Sequence, residues 1–196
     1  MQAAKRLEFA ADVPPPVYHG PHGPHGPHGP HGLDGLDGPH GLDELLALAH
    51  ADLVPLYEAA GVPAVRDLDG DLRGRMLAVP ALPAVVTALP RAWARTGAFP
   101  WRGKSFAAVA EDRGTGVNRV VSDRVRLFRF TTHVGPSRHD GAPAFQLDYD
   151  HPGNPFFIRA VEDELRALTP GLFLGQAWLR VGERKHFVLW FGLQRR

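Results

Sequence analysis

Two carboxylates in the C-terminal half of the chain have the spacing that acid–base chemistry can use. In the segment LDYD, Asp148 and Asp150 alternate with Tyr149. If this segment is a strand, both carboxylates face one side and Tyr149 faces the other. Facing an apolar interior, the two carboxylates would repel, which raises at least one pKa and provides a general acid or base. Facing solvent, they are ordinary residues at a strand end, an interpretation that the turn sequence DHPGN directly after them favours.

Other polar residues have the chemistry to orient the polar end of a ligand. Arg159 and Glu164 lie in NPFFIRAVEDELRALTPG, where Glu164 borders an apolar stripe and could point with Arg159 into the mouth of a barrel. Gln176 stands among large apolar residues in FLGQAWL, and a buried amide needs hydrogen-bond partners. Lys104 and Trp101 in WRGKSF could provide a charge and an aromatic wall for an acidic head group. The alternatives are surface ion pairs, an amide that holds the backbone, and a lysine on an edge strand.

The N-terminal part of the chain is dominated by a glycine-punctuated repeat. From Gly20 to Asp43, glycine recurs at every third position in PHG and LDG triplets. The repeat is short for a collagen triple helix and cannot bury apolar surface, so residues 1–42 are predicted to form a disordered leader. No cofactor or selected metal site is predicted. Neutral imidazoles do suit Ni, Cu or Zn, and adventitious binding is open to the regularly spaced histidines His19, His22, His25, His28 and His31.

Composition excludes several classes of function. The chain has no cysteine, which rules out disulfides and thiolate chemistry, and its net charge of +1 gives no strong field for nucleic acid. The opening MQAAKRLEFAADVPPP lacks the apolar core of a secretion signal, and no run is long enough to span a bilayer. No nucleophile elbow, phosphate-binding loop or dinucleotide fingerprint is present. We therefore expect a cytoplasmic protein with one globular domain over residues 43–196, its oligomeric state left open.

Hydrophobic periodicity predicts helices first and strands afterwards. DELLALAHADLVPLYEAAG has helical spacing, and Pro55 is expected to prevent one uninterrupted helix. A further helix is predicted over about 155–168, because Asn154 can cap it, Pro155 fits its first position and its apolar residues recur at helical spacing. Short apolar runs between turn residues predict about seven strands, in LRGRMLAV, GKSFAAVA, VNRVVS, RVRLFRFTT, AFQLDYD, GLFLGQAWLRV and HFVLWFGLQ.

These elements predict a mainly β (α+β) fold. Short connections favour antiparallel pairing, and closure of seven to eight strands into a small barrel removes the sheet edges and leaves room for one small ligand. The N-terminal helical segment and the helix at about 155–168 would pack on this barrel. Its interior is expected to bind a small hydrophobic or amphipathic molecule, fatty-acyl or isoprenoid-like, against Phe106, Phe128, Phe130, Phe145, Trp178 and Trp190. Alternatives are a cofactor-independent isomerase, cyclase or lyase that uses Asp148 or Asp150, and a filled barrel that acts as an interaction domain.

Several short motifs resemble the GXWXG family of bacterial proteins. The residues from Gly70 to Gly74 have the spacing of its naming motif, with Leu72 in the place of the tryptophan, and WRGKSF resembles its W-x-G-K-x-F segment. DELR, LFLGQA and LWFGL resemble the order of elements in its C-terminal partner domain. Over residues 65–193 the resemblance implies a calycin-like barrel, related to lipocalins and fatty-acid-binding proteins, and it implies no particular activity.

Overall fold

The computed structural model describes residues 38–78 and 101–196. Two short helices, α1 (Leu42–Leu46) and α2 (His50–Ala59), precede a 3₁₀ helix over Val65–Leu68. Eight strands follow within the described residues: β1 (Gly70–Met76), β2 (Trp101–Ala108), β3 (Arg113–Val120), β4 (Arg126–Pro136), β5 (Pro143–Asp148), β6 (Val161–Thr169), β7 (Leu172–Val181) and β8 (Arg184–Arg195).

The strands form a closed antiparallel barrel. Each strand pairs with its neighbours in sequence, and β1 closes the sheet by pairing with β8, with Leu72 opposite Arg195 and Met76 opposite Phe191. Closure gives every described strand two partners, so no edge remains to pair with another chain. The small antiparallel barrel predicted from the sequence is confirmed.

The prediction of a helix over residues 155–168 is wrong. Residues 161–169 form strand β6 instead, the one barrel strand that the sequence pattern did not predict. Residues 155–160 form turns, and β6 pairs with β5 on one side and β7 on the other. Helix propensity is worth only tenths of a kcal/mol per residue, so a ladder of hydrogen bonds on each side of the segment overrides it. Both faces of β6 are also covered, with Asp163 and Leu165 inside and Glu164 and Arg166 outside, all four buried. Burial of both faces hides the alternation that identifies a half-exposed strand.

The helices cover part of the barrel's outer face and create a second apolar layer. Leu53 and Tyr57 of α2 pack with Leu174 and Trp190, which point outward from β7 and β8. The interior holds a separate cluster that includes the side chains of Phe106, Phe130, Phe145, Leu165, Phe173 and Phe191. Strands β7 and β8 are therefore apolar on both faces, one face toward the barrel axis and the other toward α2.

The N-terminal helical segment is confirmed, with a different break. The chain leaves helical geometry between Leu46 and His50, and Pro55 lies within α2 rather than at the interruption. The carboxylate of Asp52 accepts a hydrogen bond from the amide of Ala49 at 3.1 Å, which fixes the start of α2. Among the described residues, no helix has the length and apolar character needed to cross a membrane.

Candidate functional site

A cavity of about 170 Å³ lies inside one end of the barrel. Its wall is formed where β1, β3 and β5 end, where β2, β4 and β6 begin, and by residues of β7 and β8. Most of the wall is apolar, and three polar residues (Asn118, Tyr149 and Asp163) also contribute to it. The apolar lining residues are Met76, Trp101, Val120, Phe128, Ile158, Val161, Ala177, Val188, Leu189 and Phe191.

Three irregularities in strand pairing surround this cavity. On β2 the register shifts between Trp101 and Gly103, on β4 Phe128 is left without a partner opposite β3, and on β8 Val188 is left without one opposite β7. Phe128 has a φ of 61°, a backbone conformation that a bulky residue rarely adopts. Bulges reorient side chains next to sites of function. Here, Trp101, Phe128 and Val188 all line the cavity.

A glycine of the β1 motif makes room for the cavity's tryptophan. A Cβ atom added to Gly74 would lie 2.7 Å from the indole ring of Trp101 and 2.7 Å from the Cα atom of Gly103. Any larger residue at position 74 would therefore move the ring. Of the two glycines noticed in the sequence, Gly74 thus has a packing role at the site.

A buried lysine connects the polar residues at the cavity. Lys104, which is 3% exposed, donates hydrogen bonds to the Asn118 Oδ1 atom at 3.0 Å, the Tyr149 hydroxyl at 2.5 Å and the Asp163 Oδ2 atom at 2.8 Å. These three acceptors match the three hydrogens of an ammonium group. We call Lys104, Asn118, Tyr149 and Asp163 the interior cluster.

Burial and neighbouring charge both shift the pKa values of Lys104 and Tyr149 in the interior cluster. Burial lowers the pKa of Lys104, while the carboxylate of Asp163 opposes that shift. The Lys104 Nζ atom lies 5.1–5.4 Å from the ring centres of Trp101, Phe130 and Phe191, whose π faces attract a cation. For Tyr149, burial and then the charge of Asp163 raise the pKa well above its ordinary value. Its phenol therefore stays protonated and donates to the Asp163 Oδ2 atom at 2.9 Å.

The hydrogen bonds of the interior cluster leave one acceptor without a donor. Asn118 Oδ1 already accepts from the Trp101 indole N–H at 2.9 Å as well as from Lys104, and the Asn118 amide donates to the Tyr149 hydroxyl at 3.0 Å. Asp163 Oδ2 accepts from Lys104 and Tyr149. By contrast, Asp163 Oδ1 is buried and has no hydrogen-bond partner among the described residues. A buried, unpaired carboxylate oxygen is costly, so it marks a place where a partner is needed.

A second buried polar group lies on the outer side of β6. Glu164 accepts hydrogen bonds from the Tyr57 hydroxyl at 3.1 Å, the Ser137 hydroxyl at 2.7 Å, and the Arg138 amide and guanidinium at 2.9 and 3.1 Å. Burial and then the charge of Glu164 raise the pKa of Tyr57. We call Tyr57, Ser137, Arg138 and Glu164 the outer cluster. It ties α2 and the β4–β5 turn to the barrel wall.

The structure brings only some of the predicted ligand residues to the cavity. Trp101 and Phe128 line it, and Lys104 bonds to three of its lining residues. Three other predicted aromatic residues point inside the barrel but belong to the packed core beneath the cavity: Phe106, Phe130 and Phe145.

Four predicted ligand residues lie on the outer face instead. Glu164 belongs to the outer cluster, and Trp190 packs against Tyr57 of α2. On β7, Phe173 and Ala177 point inward, so Gln176 and Trp178 point outward, where the Trp178 indole donates to the Gln176 side chain at 3.1 Å. The prediction for Trp190 was wrong because α2 makes the outer face apolar too, and the prediction for Glu164 was wrong because its segment forms a strand and not a helix. Residue type then no longer distinguishes inside from outside.

The acid–base interpretation of Asp148 and Asp150 is also wrong. Both side chains are exposed, while Tyr149 between them points inward and is 2% exposed. The Asp148 carboxylate accepts from the Asp150 amide at 2.8 Å, and Asp150 forms a 2.5 Å ion pair with Arg159, both partners more than 40% exposed. Arg159 is therefore not at the cavity. Alternation along β5 was predicted correctly, and the solvent-facing interpretation of the two carboxylates, which the turn after them favoured, is the one that the structure shows.

Sequence reasoning missed three members of the interior cluster. Tyr149 was recognised only as the residue on the other face from the carboxylates. Asp163 was assigned to a helix, in which its pairing with Lys104 could not be foreseen. Asn118 had a detectable signal, as a lone amide between the valines of VNRVV in a predicted strand.

Metal binding finds no support in the part of the chain that the structure describes. Within residues 38–78 and 101–196, no three His, Asp or Glu side chains are grouped so that they could hold a metal ion. The repeat histidines, from His19 to His31, lie outside the described residues, as does most of the leader predicted over 1–42.

Comparisons with known proteins add little to this geometry. No family model matches the chain, and no curated protein matches it. Among solved structures, it is similar to the crystal structure of a protein from Thermomonospora curvata, at 17% sequence identity and a TM-score of 0.45, over 75% of this chain and 87% of that chain. The resemblance to the GXWXG family stays a prediction, and the site is interpreted from its own residues.

Proposed function

We propose that the barrel reversibly binds a small amphipathic molecule. The apolar body of the ligand occupies the cavity and its polar end meets the interior cluster. The observation that carries this proposal is the cavity itself, about 170 Å³ of space with an apolar wall and polar groups from Asn118, Tyr149 and Asp163. An apolar cavity of about 150 Å³ binds benzene. The space therefore suits a ring, or the end of a fatty-acyl or isoprenoid-like chain.

The arrangement favours binding over the two alternatives. A filled barrel is disfavoured because packed protein interiors contain few voids larger than a water molecule. A cofactor-independent isomerase, cyclase or lyase was expected to use Asp148 or Asp150, and both are exposed. Three strand bulges beside one cavity are also more than packing alone requires, since a regular ladder fills a small barrel.

A filling variant tests the proposal. Ala177 lines the cavity, so Ala177→Leu places a larger side chain in it, while Ala107→Leu makes the same change at an exposed position on β2. Binding of benzyl alcohol and toluene is measured by calorimetry and by the shift of the melting temperature. We expect both probes to bind the parent protein and Ala107→Leu, with affinity reduced about tenfold or more in Ala177→Leu.

Two outcomes would count against this function. Absence of binding in the parent protein would remove it, as would equal affinities in Ala177→Leu and Ala107→Leu. Native mass spectrometry of the purified protein adds an independent measurement, because a small molecule that copurifies with the parent protein and is absent from Ala177→Leu identifies the cavity as its location.

A further inference from the structure

The interior cluster can recognise only certain head groups, because its donors are already used. The three hydrogens of the Lys104 ammonium bond to Asn118, Tyr149 and Asp163, and the Tyr149 hydroxyl donates to Asp163. The Asn118 amide donates to Tyr149 and, at 3.4 Å, to the carbonyl of Phe128. A ligand that only accepts hydrogen bonds therefore finds no free donor in this cluster.

The free position in the cluster is an acceptor. Asp163 lines the cavity, is 4% exposed, and its Oδ1 atom has no donor among the described residues. Less than 1 Å² of the Oδ1 surface is accessible, so the carboxylate must turn slightly toward the cavity when a partner arrives. A ligand O–H or N–H group in the cavity would then supply the missing hydrogen bond and remove the cost of a buried, unpaired oxygen.

The charge of the ligand's head group is a second criterion for recognition. Lys104 and Asp163 are both buried and lie 2.8 Å apart, so the cluster already pairs one positive charge with one negative charge. A carboxylate or ammonium head group would add an unpaired charge to an apolar cavity, which is strongly unfavourable. A neutral hydroxyl adds a donor without adding charge.

We propose that the ligand of this cavity is a small neutral alcohol whose hydroxyl donates to the Asp163 carboxylate. This inference rests on the proposed function, since it names the chemical class of the molecule that the barrel binds. A neutral alcohol differs from the ligand that the sequence suggested, which was an acidic molecule held by Lys104.

Five probes of similar size separate these possibilities in the parent protein. Benzyl alcohol carries the neutral donor, anisole has the same number of non-hydrogen atoms but only accepts, and toluene lacks a polar group. Benzoate and benzylamine carry the negative and positive head groups. Dissociation constants are measured by calorimetry at neutral pH. We expect benzyl alcohol to bind about tenfold or more tightly than each of the other four, as for a hydrogen bond to a charged group.

A double variant locates the preference at the ion pair. Lys104→Met together with Asp163→Leu replaces the pair by apolar residues, a change that buried pairs often tolerate. In this variant we expect benzyl alcohol and anisole to bind with equal affinity while toluene binding is kept. The matched control is Glu164→Gln on the outer side of the same strand, which should keep the parent's preference for benzyl alcohol.

The outcomes distinguish failure of the inference from failure of the proposed function. If toluene and anisole bind as tightly as benzyl alcohol, the cavity binds ligands but the alcohol assignment is wrong. If benzoate or benzylamine binds most tightly, recognition is ionic and the assignment is again wrong. If the double variant keeps the full preference, Asp163 is not the acceptor. If none of the five probes binds, the proposed function and this inference fail together.

Discussion

Asp163 and Glu164 are neighbours on β6 and buried to a similar degree, yet the two carboxylates have different surroundings. Glu164 points outward, and both of its oxygens accept hydrogen bonds from the outer cluster. Asp163 points inward to a cavity and keeps one oxygen without a partner. Burial of a charged residue is thus no sign of function by itself. A complete network is a structural connection, whereas an incomplete network beside free volume is a candidate binding site.

Breaking the ion pair of the interior cluster should have the largest effect. Lys104→Met leaves the carboxylate of Asp163 buried and unpaired, which is expected to lower the free energy of unfolding by about 3–5 kcal/mol. The double variant with Asp163→Leu should recover most of that loss. Urea denaturation of both variants measures the difference. A single variant within about 1 kcal/mol of the parent would mean that the pair is not buried as described.

A substitution in the outer cluster should lower the stability of the protein and leave ligand binding unchanged. Glu164→Gln removes a charge that accepts from the Arg138 amide and guanidinium and places an amide N–H group among donors. We expect the free energy of unfolding to fall by about 2–3 kcal/mol, with toluene and benzyl alcohol bound as in the parent. Urea denaturation and calorimetry on one preparation test this. If Glu164→Gln weakened binding about tenfold or more, the two clusters would not be separate.

Acid should lower the free energy of unfolding through the protonation of Asp140, which lies on the outer side of the barrel. The hydrogen bonds from Arg166 lower the pKa of Asp140 to about 2, below its ordinary value. The ionised form is thus favoured in the folded state. This contribution, about 1–2 kcal/mol, is present above about pH 4 and is lost as the pH falls toward 2. In Asp140→Asn, stability should fall less steeply over that range. Denaturant unfolding at several pH values measures both slopes, and equal slopes would contradict the assignment.

The exposed carboxylates should matter least. Asp148→Asn and Asp150→Asn alter groups at the surface, one of them in an exposed ion pair with Arg159. We expect changes of less than about 0.5 kcal/mol in unfolding free energy and no change in probe affinity. Thermal unfolding and calorimetry would detect either. A loss of binding in one of these variants would mean that its carboxylate contributes to the ligand site.

Part of the site was accessible from the sequence, and part was not. Trp101, Lys104 and Phe128 were selected from residue type and strand pattern, and all three are at the cavity or bonded to its lining. Asp163 was not, because it follows Lys104 by 59 positions and lies in a segment of strong helix formers. Local preferences cannot signal a contact between distant residues.

The sequence by itself determined the elements whose signals are local. Short apolar runs between turn residues marked seven of the barrel strands, and helical spacing marked the segment that became α1 and α2. Tertiary structure decided three further features: that residues 161–169 form strand β6, which faces of β5 and β7 turn inward, and which polar residues meet. Each depends on partners far along the chain, because a strand is stabilised by its neighbours and a buried charge by the group across the barrel.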